Sequence, residues 1–245
     1  MLQSLGWAAL GTGFTFLMTA LGAAMVFFFA GEPRPHFQKT LLGFAAGVMT
    51  AASVWSLLLP AIDRAAEGAL PDWLPAAGGM LLGVVFLSAL DALLPHLRRD
   101  RTWQDASWRQ TTLLMTAITL HNVPEGMAVG LAFALVSGGE GFAGAAALAM
   151  GIGIQNFPEG AAVALPLRQG GWSRPRAFVG GMLSGAVEPV FGVLAALAAA
   201  GVDPLMPWLL SFAAGAMLYV VIEEMIPEMS QGKHSNIGTL FFAVG

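Results

Sequence analysis

Apolar residues along this chain of 245 gather into long runs, separated by short breaks rich in charge, glycine or proline. The runs lie near 5–29, 38–60, 75–96, 111–136, 142–167, 176–200 and 205–227. Each approaches or exceeds the ~20 residues that a helix needs to cross a ~30 Å hydrocarbon core. They do not alternate as the strands of a membrane barrel would, so they predict seven membrane-spanning helices. After a polar break from Gln231 to Asn236, an eighth run starts at Ile237 and reaches Gly245. That is about half the length of a span, and it predicts an eighth helix cut short. The fold class is an all-α polytopic membrane protein, with one transmembrane domain over residues 1–245.

Composition agrees with the pattern. Hydrophobic residues make up 56% of the chain and charged residues 11%, less than half the roughly 25% charge of a soluble protein. Mean hydropathy is +0.71. Without cysteine, neither a disulfide framework nor thiolate metal ligation is available. The net charge of -4 is small, and no basic cluster suits nucleic acid. Met1-Leu2-Gln3-Ser4 lacks the basic n-region of a signal peptide, so the first run is read as a retained helix.

Charge does settle an expected orientation. With loops assigned alternately to two sides, one side holds Arg34, Lys39, Arg98, Arg99, Arg101, Arg109, Arg168, Arg174, Arg176 and Lys233, and the other only Arg64. Basic residues concentrate on the cytoplasmic side, so the N-terminus is expected outside the cytoplasm of a cell's inner membrane.

The acidic residues are distributed differently. Asp91, Glu125, Glu159, Glu188, Glu223 and Glu224 fall inside predicted spans, where a carboxylate costs about 2.5–3.5 kcal/mol even on the gentler insertion scale. Their charge calls for protons or for a cation from outside the chain. Two of them belong to a repeat: His121-Asn122-Val123-Pro124-Glu125-Gly126 in the fourth span and Gln155-Asn156-Phe157-Pro158-Glu159-Gly160 in the fifth, 34 residues apart. Consecutive spans run in opposite directions, so the repeat is inverted, as in many secondary transporters.

Helix geometry gives the motif its chemistry. His121 and Glu125 are one turn apart, as are Gln155 and Glu159, so each pair projects from one helix face. Together the faces offer an imidazole, two carboxylates and an amide oxygen, a mixture suited to Zn²⁺ or a neighbouring first-row ion. Pro124 and Pro158 lack the N–H that would pair the carbonyls of Leu120 and Ile154. Such carbonyls are tolerated at membrane depth where they line a cavity or meet a polar partner. Asn122 and Asn156 are rotated by about 100° from their neighbours and can serve an adjacent ion. Glu188-Pro189 adds a third carboxylate, on a helix whose Gly180, Gly181, Ser184 and Gly185 allow close approach.

On these motifs the chain resembles the ZIP (Zrt-, Irt-like protein) family of zinc and iron transporters, over nearly its whole length and most closely the bacterial GufA-type branch. The resemblance implies an eight-helix bundle with inverted repeats and both termini outside. It implies uptake of Zn²⁺, or of Cd²⁺, Fe²⁺ or Mn²⁺, toward the cytoplasm through a two-metal centre, with a homodimer as a candidate assembly and no organic cofactor. One site would use His121, Glu125, Gln155 and Glu159. The second would use Asn122, Asn156 and Glu188, with the two motif glutamates bridging. The chain departs from the family in two respects: residues 98–110 hold no histidine, where many members have a histidine-rich loop, and Gln155 stands where others carry His or Glu.

Two further residues are candidates. Met49 can offer its sulfur, and of the adjacent Glu223 and Glu224 the second is favoured as a pathway or metal-adjacent carboxylate. Asparagines in membrane helices also serve as interhelical glue, worth ~0.6 kcal/mol; ionised carboxylates are too costly for that alone. The alternatives to a carrier are a metal-selective channel and an intramembrane metalloenzyme. The second lacks the His-Glu-x-x-His signature.

Overall fold

The computed structural model describes residues 2–28, 35–68, 70–71, 73–97, 106–136, 141–201, 203–230 and 235–245, and among these there is no strand. The helices are α1 (Leu2–Ala23), α2 (Pro35–Ala51), α3 (Leu59–Ala65), α4 (Trp73–Leu97), α5 (Ala106–Ala134), α6 (Phe142–Gln169), α7 (Arg174–Gly185), α8 (Val187–Gly201), α9 (Met206–Val220), α10 (Ile226–Ser230) and α11 (Ile237–Val244). Five stretches of the described residues are long and apolar enough to cross a membrane: Leu2–Phe27, Lys39–Ala65, Trp73–Leu90, Arg174–Ala199 and Met206–Met225. The two helices that carry the repeated motif are longer still, with 29 residues in α5 and 28 in α6.

Polarity is arranged inside out, as hydrocarbon requires. Leu10, Leu17, Trp55, Leu81, Val85, Ile154 and Leu194 are exposed, while Thr12, Thr15, Thr19, Ser53, Asn122, Asn156 and Glu188 are buried. Lipid solvates the large apolar side chains as well as other helices do, so helix association relies on small residues and on polar contacts.

The helices form two groups. In one, α1 packs along α6 and α5 along α8, with α7 against α6 and α1; in the other, α4 packs along α9 and α2 along α11. Contacts between the groups run through α5 with α9 and α2 with α6, across an apolar layer that includes Ala8, Val129, Leu131 and Ile152 on one side and Ala46, Met49, Leu210 and Met217 on the other.

Glycine sets the closest approaches within each group, and these reveal a second repeat. Phe44-Ala45-Ala46-Gly47-Val48-Met49 in α2 matches Phe212-Ala213-Ala214-Gly215-Ala216-Met217 in α9. A Cβ on Gly47 would strike the backbone oxygen of Phe242 in α11, and one on Gly215 that of Met80 in α4. In return, Gly245 lies on the Phe44 carbonyl and Gly83 on that of Phe212. Helices α4 and α11 therefore hold equivalent places. Both repeats then leave α-geometry, over Ala52–Leu58 and Val221–Met225, where the N–H of Leu59 reaches the Val54 carbonyl and that of Ile226 the Val221 carbonyl, five residues back. One residue beyond each widened turn stands a proline, Pro60 or Pro227, which has no N–H to continue the normal ladder. Such π-turns are frequent at functional sites.

The run at 176–200, read from sequence as one span, divides at Ala186 into α7 and α8. Pro189 cannot donate to the Gly185 carbonyl, and the N–H of Ala186 turns back to Leu183 at 3.2 Å. Glu188 thereby falls in the first turn of α8, where a helix N-terminus favours negative charge.

Two glycines on α1 separate packing from propensity. A Cβ on Gly11 would collide with the Phe133 ring, whereas nothing lies within 4 Å of one on Gly13. Gly13→Ala is expected to stabilise the protein by up to about 1 kcal/mol, the propensity difference in a helix interior. Gly11→Ala is expected to be neutral or destabilising. Thermal unfolding in detergent, read side by side, checks the pair.

Candidate metal site

The motif helices cross α1 and α8 where their glycines permit it: Gly160 sits on the backbone of Thr19 and Gly126 on that of Glu188. These crossings carry the polar motif residues into the interior of the first group. Asn122 is 0% exposed, Glu125 1%, Gln155 2%, Asn156 0% and Glu188 0%, so each polar atom must find a partner in the protein or in what the protein binds. Glu159 is half-buried.

The nitrogen of each amide is engaged. Asn122 Nδ2 donates to the Ser184 carbonyl at 2.9 Å, and Asn156 Nδ2 donates to Glu188 Oε2 at 2.9 Å and to the Thr15 carbonyl at 3.4 Å. Gln155 Nε2 donates to Glu125 Oε1. The oxygens are left over: Asn122 Oδ1, Gln155 Oε1, Asn156 Oδ1 and Glu125 Oε2 are buried without a hydrogen-bond partner. An orphaned buried acceptor costs about 1–3 kcal/mol, and here four of them come from two neighbouring helices.

The carboxyls form an electrostatic chain. Glu125 is within Coulombic range of Glu159 and Glu188, and Glu159 of Glu188 and Glu224. Like charges gathered in a low-dielectric interior repel strongly, so the cluster is stable only with protons or a cation among them. Among the described residues no group of three His, Cys, Asp or Glu side chains is placed to hold a metal alone. The unpartnered amide oxygens of Asn122, Gln155 and Asn156 are further acceptors beside these carboxyls.

Other residues singled out from sequence lie in different surroundings. Glu224 is half-buried on the π-turn near Glu159, and Glu223 beside it is exposed. Met49 is 1% exposed within the apolar layer between the two groups. The side chains of His121 and Asp91 lie outside the described residues. Sequence reasoning overlooked Thr15 and Thr19, which face Glu188 from α1: Thr19 Oγ1 donates to Glu188 Oε1 at 3.3 Å, and Thr15 also reaches that carboxyl. Their signal was a column of Thr12, Thr15 and Thr19 on one face of an otherwise apolar helix.

Comparison with known proteins identifies the family. The family model described as ZIP Zinc transporter matches residues 106–244, which includes both motif helices and Glu188. The human zinc transporter ZIP11 is 39% identical, over 90% of this chain and 89% of its own length. The zinc transporter GufA of Myxococcus xanthus is 39% identical, over 87% and 85%. The zinc transporter ZIPB of Bordetella bronchiseptica is 37% identical, over 98% and 78%. A match across more than half the chain that takes in both motif helices, together with relatives 37–39% identical and aligned over most of both chains, establishes that this multi-pass membrane protein belongs to the ZIP family of zinc transporters.

Proposed function

We propose that the protein moves Zn²⁺, and with it Cd²⁺, Fe²⁺ or Mn²⁺, across the inner membrane toward the cytoplasm, by alternating access through a two-ion site on α5, α6 and α8. The observation that carries this reading is the set of four unpartnered oxygens, on Asn122, Glu125, Gln155 and Asn156, beside the carboxyls of Glu159 and Glu188. A divalent ion would satisfy the oxygens and offset the carboxylate repulsion together. In this reading Glu125 and Glu159 bridge, His121 and Gln155 complete one ion's shell, and Asn122, Asn156 and Glu188 complete the other's. Glu224 stands next along the chain of carboxyls and would receive an ion leaving the centre, while Met49 lines the apolar layer that such a movement would pass.

Alternating access is supported by the two helix groups: the site belongs to one, and the groups meet across an apolar layer that can slide with few polar bonds to break. The relatives compared above are named as zinc transporters, which supports transport over hydrolysis. The excess of basic residues on one side supports an N-terminus outside the cytoplasm.

The test is uptake into proteoliposomes loaded with a zinc-sensitive dye. The expected result is flux that saturates with external zinc; flux linear in zinc would favour a channel, and none would refute transport. A second expectation concerns selectivity. Gln155 offers an amide where an imidazole would bind zinc more tightly, so Gln155→His is expected to lower the zinc concentration for half-maximal uptake and to widen the preference for Zn²⁺ over Mn²⁺. Competition assays in the same vesicles measure both.

A further inference from the structure

Helix α1 and the α7–α8 pair flank the motif helices in equivalent places, and the equivalence extends to single residues. Asn156 donates to the Thr15 carbonyl as Asn122 donates to that of Ser184. The hydroxyls of Thr15 and Ser184 each turn back to a carbonyl three residues earlier, at 3.0 Å to Thr12 and 2.7 Å to Gly181. Four residues further along, Gly160 rests on Thr19 as Gly126 rests on Glu188. Thr19 is thus the counterpart of Glu188, a neutral hydroxyl where the other repeat has a carboxylate.

The two counterparts touch. Thr19 Oγ1 lies 3.3 Å from Glu188 Oε1, and Asn156 Nδ2 lies 2.9 Å from Glu188 Oε2. Each carboxyl oxygen therefore has a neutral donor, on a different helix, with Thr15 also within reach of the carboxyl, and the Thr19 and Asn156 donors are both fully buried. The Thr19 hydroxyl has an alternative acceptor as well, the Thr15 carbonyl at 3.3 Å. A hydroxyl carries one proton, so when an ion takes Oε1 the proton can turn to Thr15 and no buried donor is orphaned. A carboxylate in place of Thr19 would add a further charge beside Glu125, Glu159 and Glu188.

We propose that Thr19 is a positioning residue of the transport site, whose hydroxyl fixes the orientation in which Glu188 meets the second ion. The proposal rests on the two-ion reading above. It assigns α1 a part in metal handling although α1 carries no ionisable side chain. A neutral donor outside the first coordination sphere orients a ligand and tunes its affinity, and losing such a partner commonly costs about 10–100-fold in metal binding.

The experiment compares the full chain with Thr19→Ser, Thr19→Val and Thr19→Ala, alone and combined with Glu188→Gln, by dye-reported zinc uptake in proteoliposomes and by calorimetric zinc binding in detergent. Thr19→Val is expected to raise the zinc concentration for half-maximal uptake about tenfold, with little change in maximal rate, at the low end of that range. Thr19→Ser is expected to restore the wild-type value, and Thr19→Val to add nothing once Glu188→Gln is present. The proposal is overturned if Thr19→Val matches wild type, if Thr19→Ser is as impaired as Thr19→Val, or if the effects of Thr19→Val and Glu188→Gln simply add. Thr19→Ala gives the same reading should the valine variant fail to fold. Absence of zinc binding by the wild-type chain would instead refute the site reading itself, and the proposal with it.

Discussion

Proteoliposomes carrying Glu125→Ala are expected to show no saturable zinc uptake, a loss of at least about 100-fold, beyond what removal of an outer-sphere partner causes. Glu125 is 1% exposed; one of its oxygens is held by Gln155 and the other has no partner. In the proposed site that carboxylate bridges both ions, so its removal weakens both shells together. Stability should move the other way. A carboxylate in the membrane interior costs about 2.5–3.5 kcal/mol on insertion scales, and without metal the variant is relieved of that cost and of the repulsion from Glu159 and Glu188. The metal-free variant is expected to melt at or above the wild-type temperature. Zinc should raise the melting temperature of the wild type, since a ligand at about 100 times its Kd stabilises by ~2.7 kcal/mol, and should leave the variant unchanged. Thermal scans with and without zinc decide the matter: a variant that melts lower and still shifts with zinc would assign Glu125 a structural role.

The second large effect is expected at the motif glycines. A Cβ on Gly126 or Gly160 would overlap backbone oxygen, that of Glu188 or of Thr19, and backbone cannot swing aside as a side-chain end can. Gly126→Ala and Gly160→Ala must push α8 off α5 or α1 off α6. Overpacking of this kind costs about 1–3 kcal/mol, a moderate loss in melting temperature. Uptake should suffer more, because metal–ligand distances tolerate only about ±0.2 Å and the displaced backbone in Gly126→Ala is that of Glu188 itself. Zinc affinity is therefore expected to fall further for Gly126→Ala than for Gly160→Ala, while Gly144→Ala, which meets nothing within 4 Å, retains both stability and uptake. Calorimetric zinc titration of the three variants measures the ranking.

Parts of this protein could be read without coordinates because membrane physics constrains sequence tightly. Hydrocarbon admits helices only when their backbone is internally bonded and their surface apolar, so long apolar runs identify an all-α membrane fold, and carboxylates within them, such as Glu125, Glu159 and Glu188, stand out by cost alone. The His121-Asn122-x-Pro124-Glu125-Gly126 repeat in Gln155 to Gly160 is legible for the same reason: few residues in a membrane helix are polar, and their spacing is conspicuous. The second repeat, Phe44 to Met49 with Phe212 to Met217, was equally present but is written in small and apolar residues, which membrane helices use everywhere, so it does not announce itself until Gly47 and Gly215 are seen against α11 and α4.

The sequence by itself determined that this is a polytopic helical membrane protein, that its polar motif is an inverted repeat, and which residues to propose for the chemistry, because composition, period and one-turn spacing are properties of a single chain. Only the tertiary structure decided that Asn122, Gln155 and Asn156 spend their nitrogens on protein and keep their oxygens free, that Glu224 is half-buried while Glu223 is exposed, and that Thr19 meets Glu188. Those facts depend on contacts between helices far apart in the chain, set by glycine-scale crossings whose partners no local pattern records.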